Sequence, residues 1–253
     1  MRIIIHLLTL LAISGVYGQI TTTKVRKPLS ELANSKSAKY DSLRNYLGID
    51  VAQYVGQQFY LRPRPEILRQ YGYENFYTTP NDENTLNHQN VYKCCQSNNS
   101  IYDELAGKYF NVIEVIRHPN ADDDDLKYGS IYFIKLKEKK SGAICFYRYN
   151  SKHMDETFEF PITVVGYFEK CKKRYIGKKY QTKGLNWLSE KNPMIDIETG
   201  KEVSIAIEKI WKCVNVTIED KYFELSLILQ SSTGEKVAIP INNLKSDHFV
   251  IEK

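Results

Sequence analysis

The chain has 253 residues, 42% of them hydrophobic and 26% charged, with a formal net charge of +5. That composition excludes an intrinsically disordered chain, and the charge is too small for the basicity usual in nucleic-acid proteins. The length allows one large or two small domains, and nineteen tyrosines with ten phenylalanines tilt the balance toward strands, whose half-buried pleats suit aromatic side chains.

The first eighteen residues read as a cleavable signal peptide. Arg2 is followed by an apolar run from Ile3 to Ile13, and Val16 and Gly18 stand three and one before a cut after Gly18. The run is too short to span a bilayer, which takes about 20 apolar residues, and no second stretch approaches that length. No cysteine stands at the cut to carry a lipid. The expectation is an exported protein, secreted or periplasmic, without an integral membrane span in its mature chain. Residues 19–48 form a polar lead-in, with a short helix predicted over 42–47, Asp41 as its N-cap and Gly48 just past its end.

Beyond this the chain repeats a motif. Tyr54-Val55-Gly56-Gln57-Gln58-Phe59 and Tyr175-Ile176-Gly177-Lys178-Lys179-Tyr180 share an aromatic, a β-branched residue, a glycine, two polar residues and an aromatic. After the first come predicted strands at 109–116, 131–136, 143–147 and 158–167. After the second come strands at 210–218, 223–229, 237–241 and 249–251. Aligning the turn glycines Gly142 and Gly234 sets Phe133 against Leu225 and Leu136 against Ile228. No helical pattern is long enough for a parallel crossover, and five short antiparallel strands bury a core by curling. The predicted fold is therefore mainly β: two tandem SH3-like or OB-like barrels, 49–167 and 168–253, joined by a short basic connection at 166–174. The first barrel carries an insertion at 62–105, a long loop or an inserted subdomain, and loops that long are uncommon unless functional or disordered.

The insertion offers Tyr71, Tyr73, Phe76 and Tyr77 as an aromatic binding surface. The connection offers Lys172, Lys173 and Arg174, followed by Lys178 and Lys179, to an anion. The acidic run from Asp122 to Asp125 brings Asp122 and Asp124 together as hard oxygen donors, but it lacks the EF-hand glycine and terminal glutamate, so a solvated loop is the expectation and no metal is assigned. Neither His-Glu-x-x-His nor Gly-x-Ser-x-Gly, phosphate-loop or dinucleotide motifs occur, and no cofactor is expected. Cys94 or Cys95 with His88 could form a nucleophile and base, but no family motif flanks these cysteines, and a disulfide or a loop thiol is the expectation. Neighbouring cysteines are expected to bond elsewhere, because disulfides usually need Cα atoms about 4.4 to 6.8 Å apart. Cys145 and Cys213 are expected to be buried thiols.

These features predict a non-catalytic exported binding or interaction protein, its partner an envelope glycan or another protein, with nucleic acid disfavoured. The competing expectations are a secreted hydrolase with its site at the insertion, and a structural envelope component.

Overall fold

A computed structural model describes residues 40–81, 88–118, 131–151, 160–182, 194–203, 208–218, 225–241, 244 and 249–251. The expected signal peptide, most of the lead-in, and Asp122 and Asp124 fall outside them.

The chain enters through a turn in which the Leu43 amide donates to Asp41 Oδ1 at 3.1 Å, so Asp41 caps a turn and the helix predicted at 42–47 does not form. The helical segment lies later, as the 3-10 helix Gly48–Tyr54. The elements then follow as β1 Gln58–Leu61, α1 Glu66–Arg69, β2 Phe76–Tyr77, β3 Cys94–Gln96, β4 Asn99–Ser100, α2 Tyr102–Leu105, β5 Tyr109–Arg117, β6 Ile131–Glu138, β7 Ile144–Asn150 and β8 Ile162–Val164. After them come α3 Val165–Tyr175, β9 Lys179–Thr182, β10 Met194–Ile195, β11 Glu202–Val203, β12 Ile210–Ile218, β13 Leu225–Ser231, β14 Lys236–Pro240 and β15 Phe249–Ile251.

The architecture is mainly β and antiparallel. One six-stranded sheet has the order β2-β7-β6-β5-β1-β8, and one five-stranded sheet the order β14-β13-β12-β9-β15. With β2 set aside, the two sheets correspond strand for strand: a four-strand meander whose last partner returns to the free edge of the first strand. The match extends to single hydrogen bonds. Gly56 donates to Val112 O at 3.0 Å and Val112 donates to Gln57 O at 2.9 Å; Gly177 donates to Cys213 O at 2.8 Å and Cys213 to Lys178 O at 2.9 Å. The register of β5 against β6 shifts between Val112 and Glu114, and that of β12 against β13 between Cys213 and Asn215. Gly56 (φ 80°) and Gly177 (φ 86°) are both left-handed, a conformation that costs glycine little and other residues more. That requirement explains the glycine in the repeated motif.

The register also corrects the pairing suggested by the turn glycines. Val112 faces Leu136 and Cys213 faces Leu229, so Leu136 corresponds to Leu229, not to Ile228. The reason lies in the hairpins. One closes by Glu138 donating to Ala143 O and the other by Ser231 donating to Glu235 O, so the first turn holds one residue more and the glycines are out of step with the strands.

Alternation divides the side chains between two cores. Phe59, Phe110, Val112, Ile134, Leu136, Cys145 and Tyr147 fill the first. Tyr180, Trp211, Cys213, Leu227, Leu229, Val237 and Ile239 fill the second. Tyr60 and Tyr109, on the opposite face of the first sheet and 5.0 Å apart between ring centres, pack into the second core with Phe168 and Cys171 of α3. Two expectations are corrected here. Of the strand predicted at 158–167, residues 158–159 lie outside the described residues and the strand itself runs Ile162–Val164; the connection expected at 166–174 is the helix α3, because Val165, Phe168 and Cys171 recur every three residues and bury one face. The edge of β8 is closed by the buried Asn45, whose amide donates to Ile162 O and accepts from Val164 N, both at 2.8 Å. Among the described residues no helix is long and apolar enough to cross a membrane.

Candidate functional site

The insertion folds on the edge of the first sheet, and it starts from Gly72. With φ at 63°, a side-chain carbon there would meet Ser100 O at 2.1 Å; the close approach lets Tyr73 and Ser100 exchange backbone hydrogen bonds of 2.9 and 3.0 Å. Tyr73 stacks on Tyr102 at 5.7 Å, and its hydroxyl donates to Arg62 O at 2.5 Å. The Gln96 amide donates to Arg69 O at 2.8 Å and accepts from Tyr102 N at 2.7 Å, tying β3 to both short helices. Phe76 and Tyr77 then pair with Tyr147 and Phe146, adding β2 to β7. At the far end the carboxylate of Glu138, 3% exposed, is held by Lys93 of the insertion at 3.3 Å and by Lys108 at 3.2 Å.

Between β2 and the β3–β4 hairpin this packing leaves an open cleft of about 380 Å³, lined by Tyr73, Asn75, Phe76, Tyr77, His88, Val91, Asn98 and Asn99. Three of its lining residues, Asn75 (φ 69°), His88 (φ 54°) and Asn98 (φ 67°), have left-handed backbones. Non-glycine residues adopt this conformation at a cost and gather at ligand sites, where the surrounding structure holds them. His88 Nδ1 is buried without a hydrogen-bond partner. Amides, an imidazole and the edges of aromatic rings suit a neutral ligand rich in hydroxyl or amide groups.

The residues expected to bind take different positions. Tyr73, Phe76 and Tyr77 reach the cleft, but as its floor: they are 0%, 1% and 8% exposed, and Tyr73 and Phe76 belong to the core. Their faces are already packed, so they shape the cleft and offer no open stacking surface. Tyr71 is exposed and does not line it. Lys172, Lys173 and Arg174 do not line the cleft and stand in the last turn of α3. Lys172 pairs with Glu169 at 3.7 Å, and Arg174 covers the Tyr175 ring at 5.3 Å. Cations there complement the negative end of the helix dipole. Asn75, Asn98 and Asn99, which line the cleft, are not among the residues the sequence offers; the signal that points to such positions is asparagine's tolerance of left-handed turns.

Cys94 and Cys95 are joined to each other across a cis peptide. The expectation that each bonds elsewhere is thereby corrected. Cys145, Cys171 and Cys213 are buried free thiols; burial pushes Cys145 up to about 12 and the other two to about 11, far from a reactive thiolate at neutral pH. Among the described residues no group of three or more His, Cys, Asp or Glu side chains is placed to hold a metal ion.

No protein-family model, curated protein or solved structure matches the chain.

Proposed function

We infer that the chain is an exported, non-catalytic binding protein made of two SH3-like barrels in tandem, and that the first uses its insertion to hold a glycan or a polar segment of a protein partner in the cleft. The tandem reading is supported by the shared strand order, the matching bulges and the paired Gly56 and Gly177 hydrogen bonds. Export is supported by the leader and by three free thiols that are all buried. The observation that carries the binding reading is the cleft itself, where Asn75, His88 and Asn98 converge in left-handed conformations on one concavity. It is built by residues of the 62–105 insertion, between β1 and β5.

The test is calorimetric titration of the full chain with soluble envelope-glycan fragments and with envelope protein extracts. His88→Ala and Asn98→Gly, the latter keeping the turn, are expected to weaken binding about tenfold or more while leaving the melting temperature within a few degrees, since each removes about one or two polar contacts. Gly72→Ala, which drives a side chain onto Ser100 O, is expected to abolish binding by unseating the insertion. Binding that survives all three substitutions places the ligand elsewhere. Turnover of a fragment, lost with His88→Ala, would instead favour the hydrolase.

A further inference from the structure

Among the described residues, three side chains of the cleft carry hydrogen-bonding groups with no partner inside the protein: the amides of Asn75 and Asn98 and the imidazole of His88. Asn99 differs, because its amide donates to Tyr71 O at 2.9 Å. All three free groups stand on a fixed backbone. The Asn75 carbonyl accepts from Arg148 N at 2.8 Å and the His88 carbonyl from Val91 N at 3.1 Å. Asn98 follows Ser97 in the two-residue turn between β3 and β4, where both have positive φ, a hairpin turn that asparagine suits. Free polar groups on a fixed frame are pre-organised and lose little entropy when a ligand arrives.

The main chain beside the cleft is already spent. One side of β2 pairs with β7; on the other, Phe76 O accepts from Tyr92 N at 3.0 Å and Thr78 N donates to Asn90 O at 2.8 Å. An extended peptide therefore finds no open strand edge at β2 to join, and recognition falls to side chains. Among the described residues that line the cleft none is Lys, Arg, Asp or Glu, so nothing there offsets the desolvation of an ionised ligand. The packed faces of Tyr73, Phe76 and Tyr77 leave no plate on which a nucleobase or a plain hexose can lie. Beside the amides stands Val91, half-buried and the one aliphatic side chain among the described lining residues.

Amide donors and acceptors next to one aliphatic contact match an acetamido group, whose N–H and carbonyl can pair with a primary amide while its methyl leaves water against the valine. We propose that the cleft takes a neutral, N-acetylated amino sugar unit of a glycan. The proposal rests on the reading of the cleft as the binding site and narrows what that site holds.

The experiment is calorimetric titration of the full chain with the trimers of N-acetylglucosamine, glucosamine and glucose in the same linkage. The acetylated trimer is expected to bind at least about tenfold more tightly than either of the others, which lack the amide and the methyl. Val91→Thr, which exchanges a methyl for a hydroxyl, is expected to weaken the acetylated trimer about fourfold, as loss of one buried methyl does, and to leave the other two unchanged. Asn75→Asp keeps a residue that tolerates the left-handed turn and is expected to move the preference toward the glucosamine trimer, whose ammonium meets the new carboxylate. Asn98→Asp carries the same test should the first variant fail to fold. Equal affinity for the trimers, lost with Gly72→Ala, overturns the proposal and leaves the cleft a general glycan site. Binding of an envelope protein and of no trimer, lost with His88→Ala, overturns it in favour of a polar peptide. Binding of the acetylated trimer that ignores every one of these substitutions, or binding of no trimer and no protein, overturns both the proposal and the reading on which it rests.

Discussion

At the same place in the two sheets, where the first strand meets the second, one has Phe59 opposite Phe110 in its core and the other has Tyr180 opposite Trp211. On the outer face of those strands the amides Gln58 and Asn111 are replaced by Lys179 and Lys212. Along the fourth strand, the first sheet accepts β2 from its insertion, whereas on β14 the exposed backbone of Lys236 is taken up by Asp196 Oδ2 at 2.8 Å and by the Ile197 amide at 2.9 Å. The hydrogen-bonded frame is held constant and its decoration is not. Backbone geometry at Gly56 and Gly177 and at the two bulges fixes the strand order, so the side chains at the edge and on the outer face are free to diverge toward separate surfaces.

The sharpest way to break this correspondence is through its register. If Leu229 occupies the place of Leu136, Leu229→Ala is expected to cost about 2–5 kcal/mol, as truncating a packed leucine does, and Leu136→Ala a similar amount. Ile228→Ala is expected to cost distinctly less, because Ile228 lies outside both core clusters. Urea unfolding of the three variants decides it. A larger loss for Ile228 than for Leu229 would restore the alignment drawn from the turn glycines and break the strand-for-strand match.

That one-residue error shows what the sequence could reveal. Alternation was plain wherever a strand has one wet face: along β12, Ile210 and Lys212 are exposed while Trp211 and Cys213 are buried, and the segment is read correctly to its ends. Turn length was not, because a glycine marks the left-handed position in a turn and not the number of residues around it. Helix α3 escapes a reading of the sequence because Gly166 and the five consecutive basic or thiol-bearing residues from Lys170 to Arg174 obscure its spacing of Val165, Phe168 and Cys171. Of the four aromatic residues that the sequence offers in the insertion, Tyr73, Phe76 and Tyr77 line the cleft and Tyr71 does not. Aromatic residues advertise themselves in a sequence whether they are floor or surface, whereas Asn75, His88 and Asn98 come together only through backbone conformation and proximity across some twenty residues of chain.

The comparison can be sharpened at the hairpin ends, where each sheet holds one carboxylate. Glu138 is 3% exposed between Lys93 and Lys108. Glu235, on a half-exposed turn, is held down at about 2 by hydrogen bonds from Ser231, Thr233 and Lys209. Burial pushes Glu138 upward, but the Ser141 hydrogen bond, together with the hydrogen bond and charge of Lys108 and the charge of Lys93, outweighs it, and its folded pKa is lowered. A lowered carboxylate contributes stability that is fully present above its unfolded value, about 4.3, and is lost as the pH falls through the lower folded value. Glu138→Gln is expected to cost roughly 1–3 kcal/mol at neutral pH and to flatten the acid limb of the stability curve below pH of about 4.3. Because Lys93 belongs to the insertion, the variant is also expected to loosen the cleft. Glu235→Gln, on the sheet that does not carry the cleft, is expected to leave cleft binding unchanged. Melting curves across the acid range with both variants check the signs.

The smallest effect concerns the core pairs. Tyr180 OH and Trp211 Nε1 are buried without hydrogen-bond partners, and burial raises the pKa of Tyr180. The corresponding Phe59 and Phe110 bury no such group. A buried hydroxyl with no partner costs its desolvation and returns nothing, so Tyr180→Phe is expected to stabilise the protein by about 1 kcal/mol, read as an upward shift of the urea midpoint at constant slope. The reverse exchange, Phe59→Tyr, inserts the same orphan into the first core, which is also tightly packed around Tyr54 and Phe160. It is expected to cost about 1–3 kcal/mol. If Tyr180→Phe destabilises instead, the hydroxyl has a partner in solution, and the second core contains a polar contact that the first never acquired. The two sheets would then differ in what their cores recognise as well as in what their surfaces present.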